Sequence, residues 1–388
     1  MDALLECEHD IAERIYTSVA TLLNLEVDLI FFDTTSTYFE TEDEDQGDDG
    51  FRRFGHSKDA RDDLPQVVIG MAVTREGIPI RVWSFPGNSS DQVLIRAVKD
   101  GLRAWRISRV VWVVDRGFAS DENRRYLQRA GGHYIMGEKL RRVSDNLEAL
   151  SRPGRYAKIK GNLQVKEVWV GDGEARRRFI VCKNPEEAKR DAAKRVKALE
   201  RIDKALAAIA RKRTKDDRRD AEGALLAHPT LGRYLHRKGG RLQVNRAKIK
   251  DEERLDGKFL LSCSDDTLSA EDVALGYKSL LEVERGWRYF KHVLDVRPVY
   301  HRKEERIRSH VLLCWLGLLL VRVVELEAKD TWRNIRDEMS KLHLGSFAGP
   351  AGKVVQRTEL TVRQKELLKA LKIKEPPRFL GITTAEDA

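Results

Sequence analysis

Apolar residues fall into two spacings along this chain, and the order in which the spacings alternate predicts its elements. Leu4, Leu5, Ile11, Ile15, Val19 and Leu22 recur at helical intervals, so the chain is expected to open with an amphipathic helix within residues 1–26. Val27 to Phe32 is a short β-branched and aromatic run that stops on Asp33, as a buried central strand does where it leaves the core. Residues 41–50 (TEDEDQGDDG) can bury almost nothing and read as a solvated loop. Gln66 to Thr74 and Ile78 to Phe85 are strand-like around the turn Arg75-Glu76-Gly77, which predicts an antiparallel hairpin. A capped helix from Asp91 to Trp105 follows Asn88-Ser89-Ser90. A second apolar strand run, Arg109 to Val114, then stops on Asp115, and Gly117 suits the turn that follows. A helix over Asp121 to Arg129 and a strand over His133 to Met136 complete a β-β-β-α-β-α-β order.

About 170 residues separate Asp115 from Glu284, too many for a loop and enough for an inserted subdomain. Its strands are expected at Gln164 to Val170, Arg178 to Cys182 and Lys258 to Cys263. Between them lies a charged helix over 186–222, whose seam of Ala192, Val196, Leu199, Ile202, Leu206 and Ile209 packs on its own subdomain in preference to a coiled-coil partner. The expected organisation is an N-terminal helix (1–26), a first core segment (27–138), an α+β insertion (139–268), a closing core segment (269–327) and a helical tail region (328–388).

The net charge of +10 points to a polyanionic partner without naming one. Cys7, Cys182, Cys263 and Cys314 are scattered, with no C-x-x-C pair, which argues against a zinc site or a disulfide framework and fits a reducing cytoplasm. The longest apolar run, Leu312 to Val321, is too short for a bilayer and reads as a buried helix, so no membrane partner is expected.

With 62 acidic residues, position has to single out candidates. One Asp at a strand end is readily a turn former, but two at the ends of adjacent strands can share a divalent ion through hard oxygen ligands. A helix predicted over Ser269 to Val293 carries Tyr277, Glu284 and Lys291 at seven-residue intervals, along one stripe. An acid between a phenol and an amine suits a site holding metal and phosphate together, whereas the plain alternative is a solvated face with spaced charges.

These residues resemble the insertion-sequence-four-like superfamily of bacterial transposases, whose signature around the third carboxylate is Y-x-x-R-x-x-x-E-x-x-x-x-x-x-K. Tyr277, Glu284 and Lys291 match it, while Leu280 occupies the arginine position, with Arg285 and Arg288 as substitutes for that cation. DLIFFDTTSTYF around Asp33 and VVWVVDRGF around Asp115 look like the other two motifs. With HSKDARDD (56–63), PGNSSD (86–91) and LDVRPVYH (294–301), the similarity runs from about Leu25 to Val324.

The resemblance implies an α/β fold with a ribonuclease-H-like mixed sheet flanked by helices and a large insertion before the catalytic Glu. It implies that Asp33, Asp115 and Glu284 bind two Mg²⁺ or Mn²⁺ ions, about 4 Å apart, for strand cleavage and strand transfer. Double-stranded DNA, as element ends and target, is the implied partner, with a homodimer among the assemblies the DNA complex admits, in the bacterial cytoplasm at the nucleoid. Tyr277 and Lys291 would contact phosphate near the cut, joined by Arg285 and Arg288. Whether Trp169 or another tryptophan of the insertion stacks on a displaced base stays open. Relatives usually carry a DNA-binding region ahead of the first Asp, where this chain has only its opening helix, so a truncated remnant that binds DNA without transposing is the alternative. A nuclease on the same fold, cutting without joining, is a third.

Overall fold

The computed structural model describes residues 1–22, 29–102, 105, 110–141, 143–173, 176–294, 296–350 and 352–384. Val27, Asp28, Arg109 and Asp295 lie outside them, as do the side chains of Val19 and Leu22. The chain forms two compact units. The first comprises Met1–Ser90, Leu102–Arg106 and Leu281–Ala388, and the second Asp91–Gly101 and Ile107–Leu280.

The opening helix is two pieces, α1 (Asp2–Glu6) and α2 (Glu8–Leu22), broken at Cys7. Strands β1 (Leu29–Tyr38), β2 (Gln66–Val73) and β3 (Pro79–Pro86) form the antiparallel order β3-β2-β1 in the first unit. Every residue of β2 is buried, as a strand flanked on both sides requires. The expected hairpin turn is present, closed by Gly77 N–H on Thr74 O at 3.0 Å, with Gly77 at φ 77°. One expectation is corrected here: the first strand continues through Asp33 to Tyr38, because Thr34, Thr35, Ser36 and Thr37 stay buried and in the ladder. The acidic stretch also has more structure than a solvated loop, since Asp45 accepts from Arg52 N–H at 2.8 Å and from Arg52 Nε at 2.8 Å.

In the second unit, α3 (Asp91–Gly101) precedes β4 (Val111–Val114), which is followed by a 3-10 turn at Arg116–Phe118, α4 (Asp121–Gln128) and β5 (His133–Glu138). The β-β-β-α-β-α-β order stands, and with it the mixed α/β class, a mixed sheet flanked by helices. After α5 (Ser144–Ser151) come β6 (Ala157–Lys158), β7 (Gln164–Val170) and β8 (Arg177–Lys183). The charged helix is two helices, α6 (Pro185–Ala210) and α7 (Lys215–Ala227), because Thr214 caps a new helix by accepting from Asp217 N–H. They are followed by β9 (Leu235–Lys238), β10 (Arg241–Val244), α8 (Arg246–Glu253) and β11 (Lys258–Cys263). Ala198, Ile202, Ile209 and Leu225 of the two helices share a core with Tyr234, Leu235 and Leu242, whereas Val196 of the expected seam is 55% exposed. The strands of the expected insertion extend the core sheet: the order in this unit is β4-β5-β11-β8-β7-β6, with β4 parallel to β5 and the other pairs antiparallel.

The helix expected over 269–293 is also two, α9 (Ala270–Lys278) and α10 (Leu281–His292). Gly276 and Ser279, weak helix formers, precede the break. The single stripe from Tyr277 to Lys291 is therefore interrupted. A long helix α11 (Glu304–Ala328) buries Leu312, Trp315, Leu318 and Leu319 and packs on β3, with Trp315 Nε1 donating to Pro79 O at 3.1 Å. No helix among the described residues is long and apolar enough to cross a membrane. Beyond α12 (Trp332–Met339), the expected helical tail contains a three-stranded antiparallel sheet of β12 (Leu344–Gly349), β13 (Gly352–Arg357) and β14 (Phe379–Thr384), with α13 (Val362–Ala370) between the last two strands in sequence.

A buried carboxylate holds the first unit's helices in place. Glu325 on α11, 5% exposed, accepts from Tyr289 Oη at 2.8 Å, Arg285 Nη2 at 3.0 Å, Trp332 N–H at 2.8 Å and Arg322 Nη1 at 2.6 Å. Arg322 in turn donates to Gly77 O at 3.1 Å, which fastens α11 to the β2–β3 turn. Burial raises the Glu325 pKa, but the Trp332 amide, the Tyr289 hydroxyl and the two arginines prevail and hold it below the ordinary glutamate value. Glu325→Ala should cost about 3–5 kcal/mol in urea unfolding, because it leaves buried Arg322 without its closest carboxylate. Because the folded pKa is depressed, this stabilisation is present above the ordinary value of 4.5 and is lost as pH falls through the lowered folded value. The melting-temperature gap between parent and Glu325→Gln should therefore close in that acid range, and a gap that persists unchanged there would refute the assignment.

Candidate functional site

Asp33 sits mid-strand on β1, directly across from Met71 on β2. Its side chain is 20% exposed, and Lys58 Nζ lies 3.8 Å from Oδ1. Lys58 is fixed over β1 by donating from Nζ to Thr34 O at 2.8 Å and from its backbone N–H to Ser36 Oγ at 2.9 Å. The HSKDARDD segment thus folds back on the strand that carries the first acid, with its cation beside that acid.

Asp115 ends β4, as expected, and opens the 3-10 turn with extended backbone (φ −75°, ψ 168°). Tyr277 Oη donates to Asp115 Oδ1 at 2.7 Å, and its ring stacks on Phe259 at 6.1 Å between centroids. The hydroxyl reaches its place over a glycine on β5: a Cβ on Gly137 would lie 2.3 Å from Tyr277 Oη. Gly117 lies in the turn after β4, as expected, and the structure adds a steric reason for a glycine there. A Cβ there would come within 2.9 Å of the Asp91 carboxylate. Tyr277, expected to contact phosphate, is thus engaged with the second acid in the free protein.

Glu284 is exposed on α10, which packs against β1 and β2. Gly286, two residues on, meets the methyl of Met71 at 3.0 Å from an ideal Cβ position, and Met71 is the residue paired with Asp33. A glycine here lets the helix of the third acid approach the sheet at the level of the first. Lys291 Nζ donates to both oxygens of Asp59 at 2.8 and 2.9 Å, and Arg297 Nη1 pairs with the same carboxylate at 2.9 Å. Burial pushes the Lys291 ammonium below the ordinary lysine value, against the opposing pull of Asp59. Arg285 belongs to the Glu325 cluster, Arg288 is exposed, and Leu280, standing at the signature's arginine position, is 8% exposed.

Two further sites considered in the sequence take definite form. Trp169 has the Arg176 guanidinium 4.4 Å from its ring centroid. Of two basic runs in the sequence, Arg176 to Arg178 and Arg211 to Arg213, Arg178 is buried on Glu167 and Asp265 O, whereas Arg211, Lys212 and Arg213 are exposed in the turn between α6 and α7. Sequence reasoning missed Lys58, Asp59, Gly137 and Gly286 as individual residues. The HSKDARDD motif was the one signal for the first pair, and a single glycine in a strand or helix was the only trace of the second. Among the described residues no three His, Cys, Asp or Glu side chains gather in a group that could hold a metal ion. Asp33 and Asp115 are instead met by an ammonium and a phenol.

The sequence matches the transposase DDE domain family over residues 28–320, a span that includes Asp33, Asp115 and Glu284. No curated protein matches it. Among solved structures, the chain is similar to a piggyBac transposase synaptic complex with hairpin DNA, at 10% identity and a TM-score of 0.40, over 92% of this chain and 56% of that one. From the extent of the family match, the chain belongs to the transposase DDE domain family.

Proposed function

We propose that this chain cleaves DNA strands and transfers them in a divalent-metal-dependent reaction, as an insertion-sequence transposase of the insertion-sequence-four-like superfamily. Its substrates would be double-stranded element ends and target DNA, in a bacterial cytoplasm at the nucleoid, with a homodimer as the assembly on DNA. The observation that carries this reading is the orientation of Asp115. A partly exposed aspartate at a strand end is satisfied by water, yet here a tyrosine hydroxyl holds one of its oxygens and a glycine on the neighbouring strand leaves room for that hydroxyl. Such a carboxylate is aimed, and an aimed carboxylate suits ligation.

Asp33, Asp115 and Glu284 would hold the ions, and an all-carboxylate donor set fits Mg²⁺ or Mn²⁺ better than softer metals. Two such ions, when bound, supply Lewis-acid activation of water or a 3′-hydroxyl and stabilise the leaving oxygen. Lys58 offsets the charge of Asp33 in the metal-free chain. Tyr277 keeps one oxygen of Asp115 engaged and so fixes the direction of the other. Lys291, through Asp59, ties α10 to the segment that covers β1. Arg288 and the Arg211–Arg213 turn present exposed cations to a phosphate backbone, which position DNA without reading its bases.

Supercoiled plasmid incubated with the protein and Mn²⁺ tests the reading directly. Joined products support transposition, nicking alone supports a nuclease, and unchanged plasmid that is nonetheless bound supports a remnant. Asp33→Asn, Asp115→Asn and Glu284→Gln should each abolish cleavage while leaving duplex affinity within about twofold, because the charge lost faces metal and not phosphate. An amide variant that cuts at the parental rate would remove that residue from the set.

Tyr277→Phe keeps the ring stack and deletes the hydroxyl. It should raise the Mg²⁺ concentration needed for half-maximal cleavage by about tenfold with little change in melting temperature. Gly137→Ala, which displaces the hydroxyl, should reproduce the effect, and an unaltered metal requirement in both would mean that Tyr277 does not orient Asp115. Lys291→Ala should lower stability by about 1–3 kcal/mol, since Asp59 loses one of its two cations. Urea unfolding that overlays the parent would show instead that Lys291 acts on DNA alone.

A further inference from the structure

A cavity of about 630 Å³ in the first unit lies between the end of β1 and the segment that follows α10. Its lining includes Tyr38, Glu40, Lys291, Arg297, Tyr300 and Arg302, together with Arg52, whose guanidinium is held by Asp45. Two features separate it from an ordinary cationic surface. Tyr300 is 85% exposed, an aromatic ring with no fold-stabilising burial, set among cations. Tyr38 already has two guanidinium groups near its ring, with Arg297 at 5.7 Å and Arg61 at 5.1 Å from the centroid. Arg297 and Lys291 are anchored on Asp59, so this wall of the cavity is held rigid before any ligand arrives.

Cations that track a phosphate chain, together with a ring whose face is open to stacking, are the chemistry by which proteins hold single-stranded nucleic acid. The volume admits a nucleoside and its phosphate but not the width of a duplex. We propose that this cavity takes an unpaired nucleotide of a DNA single strand, its base stacked on Tyr300 and its phosphate facing Arg302. The inference rests on the DNA-processing reading above and extends it: DNA handled by this chain would be opened locally, with one strand passing along the Tyr300 side of α10.

Fluorescence anisotropy with a labelled oligothymidylate, a blunt duplex and free thymidine monophosphate as competitor tests this on the full chain. Tyr300→Ala should weaken single-strand binding by about tenfold or more while changing duplex affinity less than about twofold. Tyr300→Phe should bind like the parent. Arg302→Ala should weaken single-strand binding and flatten its salt dependence. Tyr300 is exposed, so the variants should melt with the parent, and 2-aminopurine in the oligonucleotide should be quenched by the parent and not by Tyr300→Ala. The proposal is overturned if Tyr300→Ala leaves single-strand affinity intact, if it weakens duplex equally, or if the monophosphate competes as tightly as the oligonucleotide. A parent that binds duplex but no single strand sinks this inference alone, and a parent that binds no DNA sinks the function beneath it as well.

Discussion

A lysine ammonium nine-tenths removed from water is tolerated only beside a carboxylate, and Asp59 is the carboxylate against which Lys291 is held. This contact joins parts of the chain far apart in sequence. Asp59 comes from the loop folded over β1, Lys291 from the last turn of α10, and Arg297 from the segment beyond it. Once the ion pair forms, the loop carries Lys58 to Asp33, α10 is fixed against the sheet, and the wall of the Tyr300 cavity is set. Asp59 is the costliest member to remove, because both cations lose their shared carboxylate, whereas loss of either cation leaves Asp59 with the other. The contact also gives Lys291 a part in the fold that does not depend on any ligand.

The other two acids are held by different means. Asp115 meets a neutral hydroxyl, which orients without cancelling charge, and Glu284 is exposed to solvent on a helix that Gly286 brings close to β2. Glu325 shows what a purely structural acid looks like in the same unit: four donors converge on it, its pKa is depressed and it is almost wholly buried. That contrast separates the candidates from the scaffold more sharply than sequence position does. An acid saturated by donors has no oxygen to offer a metal, and Asp115 and Glu284 are not saturated in this way.

The apolar runs made most strands legible, because a buried strand demands β-branched and aromatic residues over a stretch that a turn must end. The β2–β3 hairpin and β7 were placed within a residue or so on that ground. Where polar residues continue a strand the pattern fails. Thr34 to Thr37 carry no apolar pattern, and the partner that Lys58 supplies to Thr34 and Ser36 comes from elsewhere in the chain. Helix breaks were missed for a related reason. Thr214 and Ser279 are tolerable inside a helix, and the apolar spacing runs on past them although Thr214 caps a new helix and Ser279 closes one. The candidate acids were legible because they punctuate strand runs and fall at signature spacing. Their holders were not, since a contact such as Tyr277 to Asp115 spans 162 residues and Gly137 matters only for the atom it leaves out.

Net charge, too, has a location that composition conceals. Each internal group, such as Arg285 and Arg322 with Glu325 and Glu282, Arg195 with Asp256 or Arg141 with Glu252, is nearly neutral at a distance. The excess of +10 must therefore be carried by cations outside such groups. Exposed Arg288, Arg302 and the Arg211–Arg213 turn are of that kind, and Arg178, which looked equivalent in sequence, is not. A polyanion would thus meet cations of this exposed, unpaired kind and not the arginines of the internal groups. Such cations fix where a phosphate backbone lies while leaving bases unread, so specificity for an element end has to come from contacts that charge does not supply.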